Sequence, residues 1–546
     1  MPRLNLPLMA VLLLAALPAW ALWPTTVREN LPIAATPEVY ESDPSALPLD
    51  NGRTLVLLFS AHYFSNCYQI LNRFGEAEFS ELQELAPDVT DIHTGHCLVI
   101  ADGSGGAFAA WYIAMGPREG FYAQRLDSQG NRLWGDAGIH IFNFQPAYTF
   151  GISTDGVGDL LVAVTGNETV VQVAVQKVSP SGQLLWGESG VVVCNLPYGQ
   201  QQAVITHDGN GGAYVTWNDY RPPTYGNPYG NLFMQRLDAE GNPLWQPNGV
   251  FFFEDPWIHQ MIPDGQGGFI LHCGHGAENW VYRIGPSGNS LWMQYRVSWT
   301  ALAKMVEGEP GYFYLGFCYL MGVYGQRMDM QGNIYWPTWG SGQPGALMAM
   351  MDPGWTHNAH EDWAYQYPYF FGVYDFRAPN WYPINLLAQS LDSLGNRRWG
   401  VDGTLLASIP SGPNLDFYQV VSCGDGIGGT VAVFATWAEA NVYAKHVNSN
   451  GSLGDPQWPP PVYYNPGELF LGITGESVHY SLPAPGDVEI TLYDLLGRRV
   501  AGLQQGYQPA GCYVVRIGAQ NLAAGIYVVR LESRFWVEAR KVVVLR

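Results

Sequence analysis

Charge is scarce in these 546 residues. Only 13% are Asp, Glu, Lys or Arg, against 47% hydrophobic and 14% aromatic. A chain so well supplied with core residues does not read as disordered. Basic residues are scarcer still, 26 Lys and Arg against 47 Asp and Glu, for a formal charge of −21. That balance argues against a nucleic-acid binder, which needs Lys and Arg to displace counterions, and against docking on anionic lipid. Cysteine is sparse. Cys67, Cys97, Cys194, Cys273, Cys318, Cys423 and Cys512 are scattered and odd in number, which suits neither a disulfide framework nor a zinc site. Cys67 and Cys97 could pair if their strands are neighbours, but buried thiols are the expectation for the set. Helix-period apolar stripes are nearly absent. What remains is short alternating runs among 64 Gly and 38 Pro, an all-β pattern.

One apolar run stands apart, at the start. Arg3, the stretch "LPLMAVLLLAALP" and the A-x-A step Ala19-Trp20-Ala21 read as a secretory signal peptide over residues 1–21. The run is short for a membrane anchor, and no later stretch reaches its length. The expectation is a mature chain without a transmembrane segment. Residues 465–546 hold 8 Lys or Arg against 7 Asp or Glu, so the acidity belongs to the body of the chain. On that body it reads as a solubility device.

The body repeats itself. "AQRLDSQGNRLWG" at 123–135 returns as "MQRLDAEGNPLWQ", "GQRMDMQGNIYWP" and "AQSLDSLGNRRWG". Its turn glycines fall at Gly75, Gly130, Gly182, Gly241, Gly288, Gly332, Gly395 and Gly451. A second phrase, "DGSGGAFAAW" at Asp102 and its relatives at Asp155, Asp208, Asp264 and Asp425, precedes most copies. Between Phe150 and Cys194 the pattern gives four short antiparallel strands. Four strands in about fifty residues, repeated, predict a β-propeller whose blades complete one another's cores. Eight copies predict eight blades, or seven if the first or last copy shares a closing blade. Trp134, Trp186, Trp245, Trp292, Trp336 and Trp399 are expected to fill the wedges between blades. The Gln at 124, 176, 235, 326 and 389 is expected to bond backbone across blades. The body resembles repeats of exported bacterial propeller proteins, in which W-x-D-x-R, Y-A-Q-R-L-D and G-N-x-L-W recur. That resemblance implies a scaffold and no fixed ligand.

The organisation is then a leader at 1–21, a propeller at 22–456, a Pro-rich linker at 457–464 and a tail at 465–546. In the tail, Val488, Ile490 and Leu492 alternate with polar residues, as do Tyr513, Val515 and Ile517. These strands and the turns between them predict a small Ig-like β-sandwich. The tail is similar to the C-terminal sorting domain of the type IX (Por) secretion system. The elements are Asn465-Pro466, Tyr480-Ser481-Leu482-Pro483, Tyr493-Asp494-Leu495-Leu496-Gly497-Arg498-Arg499-Val500, Ala510-Gly511-Cys512-Tyr513, Ala524-Gly525-Ile526-Tyr527 and Lys541-Val542-Val543. The resemblance implies engagement of that secretion machinery, passage across an outer membrane, and attachment at the surface or release.

Chemistry is harder to find. "HNAHED", with His357, His360, Glu361 and Asp362, reads as a polar loop, since it lacks the H-E-x-x-H spacing. In "HCGH" His272 and Cys273 fall in a strand, where neighbours point to opposite faces. The "LDSQGNRLW" turns resemble the Asp-box of sialidases, which is structural in those enzymes, and carry one extra residue. The "DGxGG" turns offer one carboxylate each, too few for calcium. The sequence therefore predicts no catalytic residues, metal or cofactor, and an enzyme is the lesser reading. Aromatic residues gather instead in "NDYRPPTYGNPYG", "GWTHNAHEDWAYQYPY" and "YDFRAPNWYP". Tyr220, Tyr225, Trp355, Trp363 and Trp381 are the candidate ligand-binding rim, since aromatic rings stack on sugars and loops on rigid scaffolds carry function. The expected role is a secreted or cell-surface binding or adhesion protein, with a glycan or a surface protein as ligand. The alternative is an extracellular glycan-processing enzyme, which needs paired carboxylates on the axis.

Overall fold

The computed structural model describes residues 23–34, 40–89, 92–115, 117–143, 146–166, 172–222, 230–254, 256, 258–275, 278–295, 303–319, 322–336, 338–339, 343–350, 356–366, 368–377, 383–409, 417–436, 441–455, 470–474, 477–482, 486–494, 498–508, 511–516, 525–533 and 537–544. Seven four-stranded antiparallel sheets follow one another along the chain: blade 1 over 41–84, blade 2 over 92–142, blade 3 over 146–194, blade 4 over 200–254, blade 5 over 258–295, blade 6 over 303–350 and blade 7 over 356–409. Blade 8 takes three strands from 417–447 and its outermost strand from Leu31–Ala34, near the start of the chain. The first strand of each blade lies against that of the next, and the first strand of blade 8 against that of blade 1. A closed ring of eight four-stranded sheets is a β-propeller. The count is eight rather than seven, because the N-terminal strand completes a sheet of its own with the last three.

Alternation explains why the ring holds. In the second strand of blade 1, Leu55 and Leu57 face blade 2 and its Trp111 and Ile113, while Val56 and Leu58 face blade 8 and its Val431 and Val433. A period of two sends successive side chains to opposite faces. Each blade therefore contributes to two cores shared with its neighbours. A single blade would leave both faces in water, so the repeats depend on one another.

The recurring dozen residues form the turn between the third and fourth strands, and they also latch neighbouring blades. In blade 4, Asp238 Oδ1 accepts the N–H groups of Glu240 and Asn242 at 3.1 and 2.7 Å, and Gly241 turns the chain at φ +84°. A Cβ on Gly241 would stand 2.9 Å from the Trp186 ring of blade 3. The Trp186 indole Nε1 donates to the Ala239 carbonyl in the same turn at 3.0 Å. The Trp ring of one blade thus lies on the bare glycine of the next. The arrangement recurs for Trp134 and Gly182, Trp245 and Gly288, Trp292 and Gly332, Trp336 and Gly395, and Trp399 and Gly451. Trp134, Trp186, Trp336 and Trp399 are buried, whereas Trp245 and Trp292 are half-buried.

The repeated Gln acts mainly within its own blade, unlike the cross-blade role expected for it. Gln176 Oε1 accepts the Trp186 N–H at 3.1 Å, and its Nε2 donates to the Gly187 carbonyl at 2.7 Å. It braces the turn at the foot of its hairpin. Only some copies also cross: Gln124 Nε2 reaches the Leu85 carbonyl, and Gln389 Nε2 that of Met348. Cys67 and Cys97 are not bonded to each other. They and Cys194, Cys273, Cys318 and Cys423 are buried and, among the described residues, form no disulfide; Cys512 lies where side chains are not described.

The tail forms two further sheets, one of Phe470–Thr474, Ser477–Leu482 and Gly511–Arg516, the other of Arg499–Gln508, Gly486–Asp494, Gly525–Ser533 and Val537–Val544. Val478 and Tyr480 of the first share a core with Val488, Ile490, Leu492, Val529 and Leu531 of the second. The alternating Val488, Ile490 and Leu492 supply its inner face.

Candidate functional site

Strand direction divides the propeller into two faces. The first-to-second and third-to-fourth connections are the tight Gly turns, and both emerge on one face. The second-to-third connections and the links between blades emerge on the other. The segments "NDYRPPTYGNPYG" and "YDFRAPNWYP" leave and re-enter the described strands at second-to-third connections, on that other face, whereas "GWTHNAHEDWAYQYPY" is largely the first strand of blade 7. The root of the blade 4 insertion shows the sharing directly, since the Tyr220 N–H donates to the Gly199 carbonyl of the link from blade 3 at 3.0 Å.

On this insertion face the first strands leave the repeat pattern. Their pairing with the second strand slips near the start in blades 1, 2, 3, 4, 7 and 8. Bulges re-aim side chains and recur beside binding sites. In blade 1 the bulge holds Asp43 at φ 53°, and in blade 4 it holds Gln202 at φ 55°. Left-handed backbone at non-glycine residues stores strain, which clusters at functional sites. These bulges border the mouth of the axis on six of its eight sides, since the first strands form the innermost ring and blades 5 and 6 pair without a slip.

The mouth and upper channel are lined with hydrogen-bonding groups. Asp43 Oδ1 accepts Gln419 Nε2 of blade 8 at 2.7 Å, and Asp43 Oδ2 accepts the Ser42 hydroxyl at 2.7 Å. Tyr220 Oη donates to Gln201 Oε1 at 3.2 Å, and Asn218 Nδ2 to Gln202 Oε1 at 3.2 Å. Gln260 of blade 5 accepts the Met305 N–H of blade 6 at 2.6 Å. Lys304 of blade 6 pairs with Asp362 of blade 7. Asp362 Oδ2 accepts the Ser422 N–H and hydroxyl of blade 8 at 2.6 and 3.2 Å. The carboxylates of Asp43 and Asp362 are thus engaged by neighbours. Glu307, the last residue of the blade 6 first strand and so at the Gly-turn face, is exposed. Removal from bulk water raises its carboxyl pKa above the ordinary value.

The sequence candidates scatter. Tyr220 is half-buried at the root of its insertion. Tyr225, Trp355 and Trp381 lie outside the described residues. Trp363 stands apart from any rim. It is 2% exposed, stacks on Phe370 at 5.6 Å and packs over Gly316 and Gly372. Asp219 and Arg221 brace the insertion root, bonded at 2.6 and 2.8 Å, with Trp217 Nε1 donating to the same carboxylate and Arg221 lying over Phe233. "HNAHED" is not a loop. It lies in the first strand of blade 7, Thr356–Gln366, with the bulge between His357 and Glu361. Of its ligand-type residues, only the Asp362 side chain is described. His272 is buried, with Nε2 against Asn279 Oδ1 at 2.8 Å. Among the described residues no group of three His, Cys, Asp or Glu side chains could hold a metal ion.

Sequence reasoning missed Asp43, Gln201, Gln202, Gln260, Lys304, Glu307, Gln419 and Ser422. The one usable signal was negative: "HTGHC", "QQQAV" and "HNAHED" break the alternation of the repeat at the same place in three blades. It also missed a third-strand partner for each "DGxGG" aspartate. Asp102, Asp155, Asp208, Asp264 and Asp425 pair with Arg125, Lys177, Arg236, Arg283 and His446 of the third strand at 2.8–2.9 Å. Burial alone would raise the Asp102 pKa. The N–H groups of Ser104 and Gly106 together with Arg125 outweigh it and hold the carboxyl below its usual range.

Residues 461–545 match the family described as the secretion system C-terminal sorting domain. This tail marks the chain for export by the type IX secretion system, to the cell surface or beyond it. No curated protein matches the sequence. Among solved structures, a lectin from Burkholderia pseudomallei is similar at 11% identity and TM-score 0.40, over 78% of this chain and 99% of that one. An ulvan lyase, a polysaccharide lyase, is similar at 10% identity and TM-score 0.39, over 79% and 97%. A post-proline cleaving enzyme from Rickettsia typhi follows at 8% identity and TM-score 0.39, over 80% and 57%. The propeller assignment rests on the closed ring of first strands. Among the described residues no helix is long and apolar enough to cross a membrane.

Proposed function

We propose that this chain is a secreted or surface-held binding module, with a signal peptide at its start and an Ig-like sorting domain at its end. Its ligand is a hydroxyl-rich glycan received at the axial mouth on the insertion face. The observation that carries the reading is the ring of bulged first strands, with Asp43 and Gln202 held in left-handed backbone. Carboxylates, amides and hydroxyls fixed on a rigid ring suit the many hydroxyls of a sugar, and aromatic side chains on the same face suit its apolar planes. Tyr220, Tyr225, Trp355 and Trp381 belong to that surface in this reading; Trp363 supports it from the core. The test is a glycan array on the mature full-length chain, followed by Asp43→Asn, Gln202→Ala and Tyr220→Phe. At least one of the three is expected to weaken binding about tenfold or more, roughly 1.4 kcal/mol, with little change in melting temperature. Unchanged binding in all three would remove the mouth from consideration. Glu307 favours a second reading, a glycan-processing enzyme, because a carboxyl with a raised pKa at the end of an innermost strand suits a general acid. Turnover of a bound glycan that Glu307→Gln abolishes would establish that reading instead.

A further inference from the structure

The Trp-on-glycine latch needs a Trp for every blade junction, and the blade 8 to blade 1 junction finds its own far from the repeats. Gly75, the turn glycine of blade 1, is covered by Trp23, with the ring 3.0 Å from where a Cβ would stand. Trp23 Nε1 donates to the Arg73 carbonyl at 2.9 Å, as the repeat Trp residues do in the other turns. Trp23 is 2% exposed and joins Leu31, Ala34, Val56, Leu58, Val431 and Val433 in the core between blades 8 and 1. Its backbone N–H donates to Asp455 Oδ1 at 2.8 Å. Lys445 stands where most blades carry the turn-bracing Gln, and its Nζ reaches the Thr26 carbonyl at 2.5 Å and that of Glu29. The socket between blades 8 and 1 is therefore built for the segment 23–34 and for no repeat sequence.

Trp23 is also the second residue after the cut that the leader reading places between Ala21 and Leu22. We infer that this socket is the receptor for the processed N-terminus, and that leader removal and ring closure exclude each other in time. A peptidase reads its substrate as extended chain on both sides of the cut. A buried Trp23 whose N–H is held by Asp455 is not available in that form. A leader still in the membrane also holds Trp23 within two residues of the bilayer, away from its socket. Cleavage adds water across the Ala21–Leu22 amide. The carboxylate leaves with the leader, and Leu22 gains an ammonium one residue from the N–H that Asp455 accepts. The negative charge of Asp455 favours that product end. The ring then closes outside the membrane, with its two chain ends joined at Trp23 and Asp455.

The test is a cleavage assay on the leader-bearing full-length chain, refolded in detergent and mixed with a bacterial signal peptidase. The latched chain is expected to be cut slowly, and Trp23→Ala roughly tenfold faster or more, with both cut at one rate in denaturant. Asp455→Ala, which leaves the core intact, is expected to fall between them, so that a folding failure of Trp23→Ala does not decide the result. Equal rates for all three folded chains would overturn the inference. So would a mature N-terminus, sequenced from exported protein, that begins beyond Trp23. Neither outcome depends on a ligand at the axial mouth.

Discussion

Each "DGxGG" turn is organised around one carboxylate that serves two masters. Asp208 Oδ1 takes the N–H groups of Asn210 and Gly212, and Oδ2 takes Arg236. The arginine and lysine side chains sit against the second carboxylate oxygen of these turns. Arg125 and Trp134 both donate to the Pro180 carbonyl of the next blade, so the same pair also ties blade to blade. His272 shows the opposite use of a titratable group. Buried in the second strand of blade 5, it offers Nε2–H to Asn279, and among the described residues its Nδ1 meets no partner. Desolvation pushes its pKa down to about 4. The folded ring stays neutral while an unfolded one takes a proton below about pH 6.5. The stability tied to this group therefore falls as pH drops from about 6.5 to about 4, then levels off. The full change is about 3 kcal/mol. Denaturant unfolding at pH 7 and pH 4.5 should show a steeper loss for the native chain than for His272→Gln. Parallel losses would mean that His272 is protonated in the fold.

At the scale of the element, the third-to-fourth-strand turn carries most of what the sequence disclosed. Its phrase was legible because one local job needs fixed residue types: an Asp to hold two N–H groups, a glycine at positive φ, and a Trp set by the fourth strand. The partnership of that Trp with the next blade's glycine was not legible, since it joins residues some fifty positions apart. A double-mutant cycle on Trp186 and Gly241 isolates it. Trp186→Ala should cost about 3–5 kcal/mol through the cavity it leaves. Gly241→Ala should cost about 1–2 kcal/mol for the left-handed backbone and a further 1–3 kcal/mol or so for crowding the ring. Removing the ring relieves the crowding but not the backbone strain, so the double variant should cost less than the sum by about 1 kcal/mol or more. Strict additivity in denaturant midpoints would show that the two residues do not share a contact. The first strands were the illegible elements. Their bulges leave no composition signal, and their partners, such as Lys304 and Asp362, come from neighbouring blades. Trp363 misled for the same reason: an aromatic beside an irregular stretch looks exposed until the strand register turns it inward.

At the scale of the molecule, the ring and the tail have separate work. The eight blades form one cooperative unit, because each shares its cores with two neighbours and the last junction is closed by the N-terminal segment. The tail has its own core around Ile490, Leu492 and Val529, and among the described residues no ring core draws on it. Removing it should therefore leave the ring folded while removing its address. Deletion of 461–546 is expected to leave the truncated chain in the periplasm of a host that carries the type IX system, with the same protease resistance as the ring of the full chain. Cell fractionation with an antibody to the propeller reads the location, and limited proteolysis reads the fold. Surface delivery of the truncated chain would place the export signal within the blades. A truncated chain that is retained but protease-sensitive would show that the tail is needed for folding as well as for sorting.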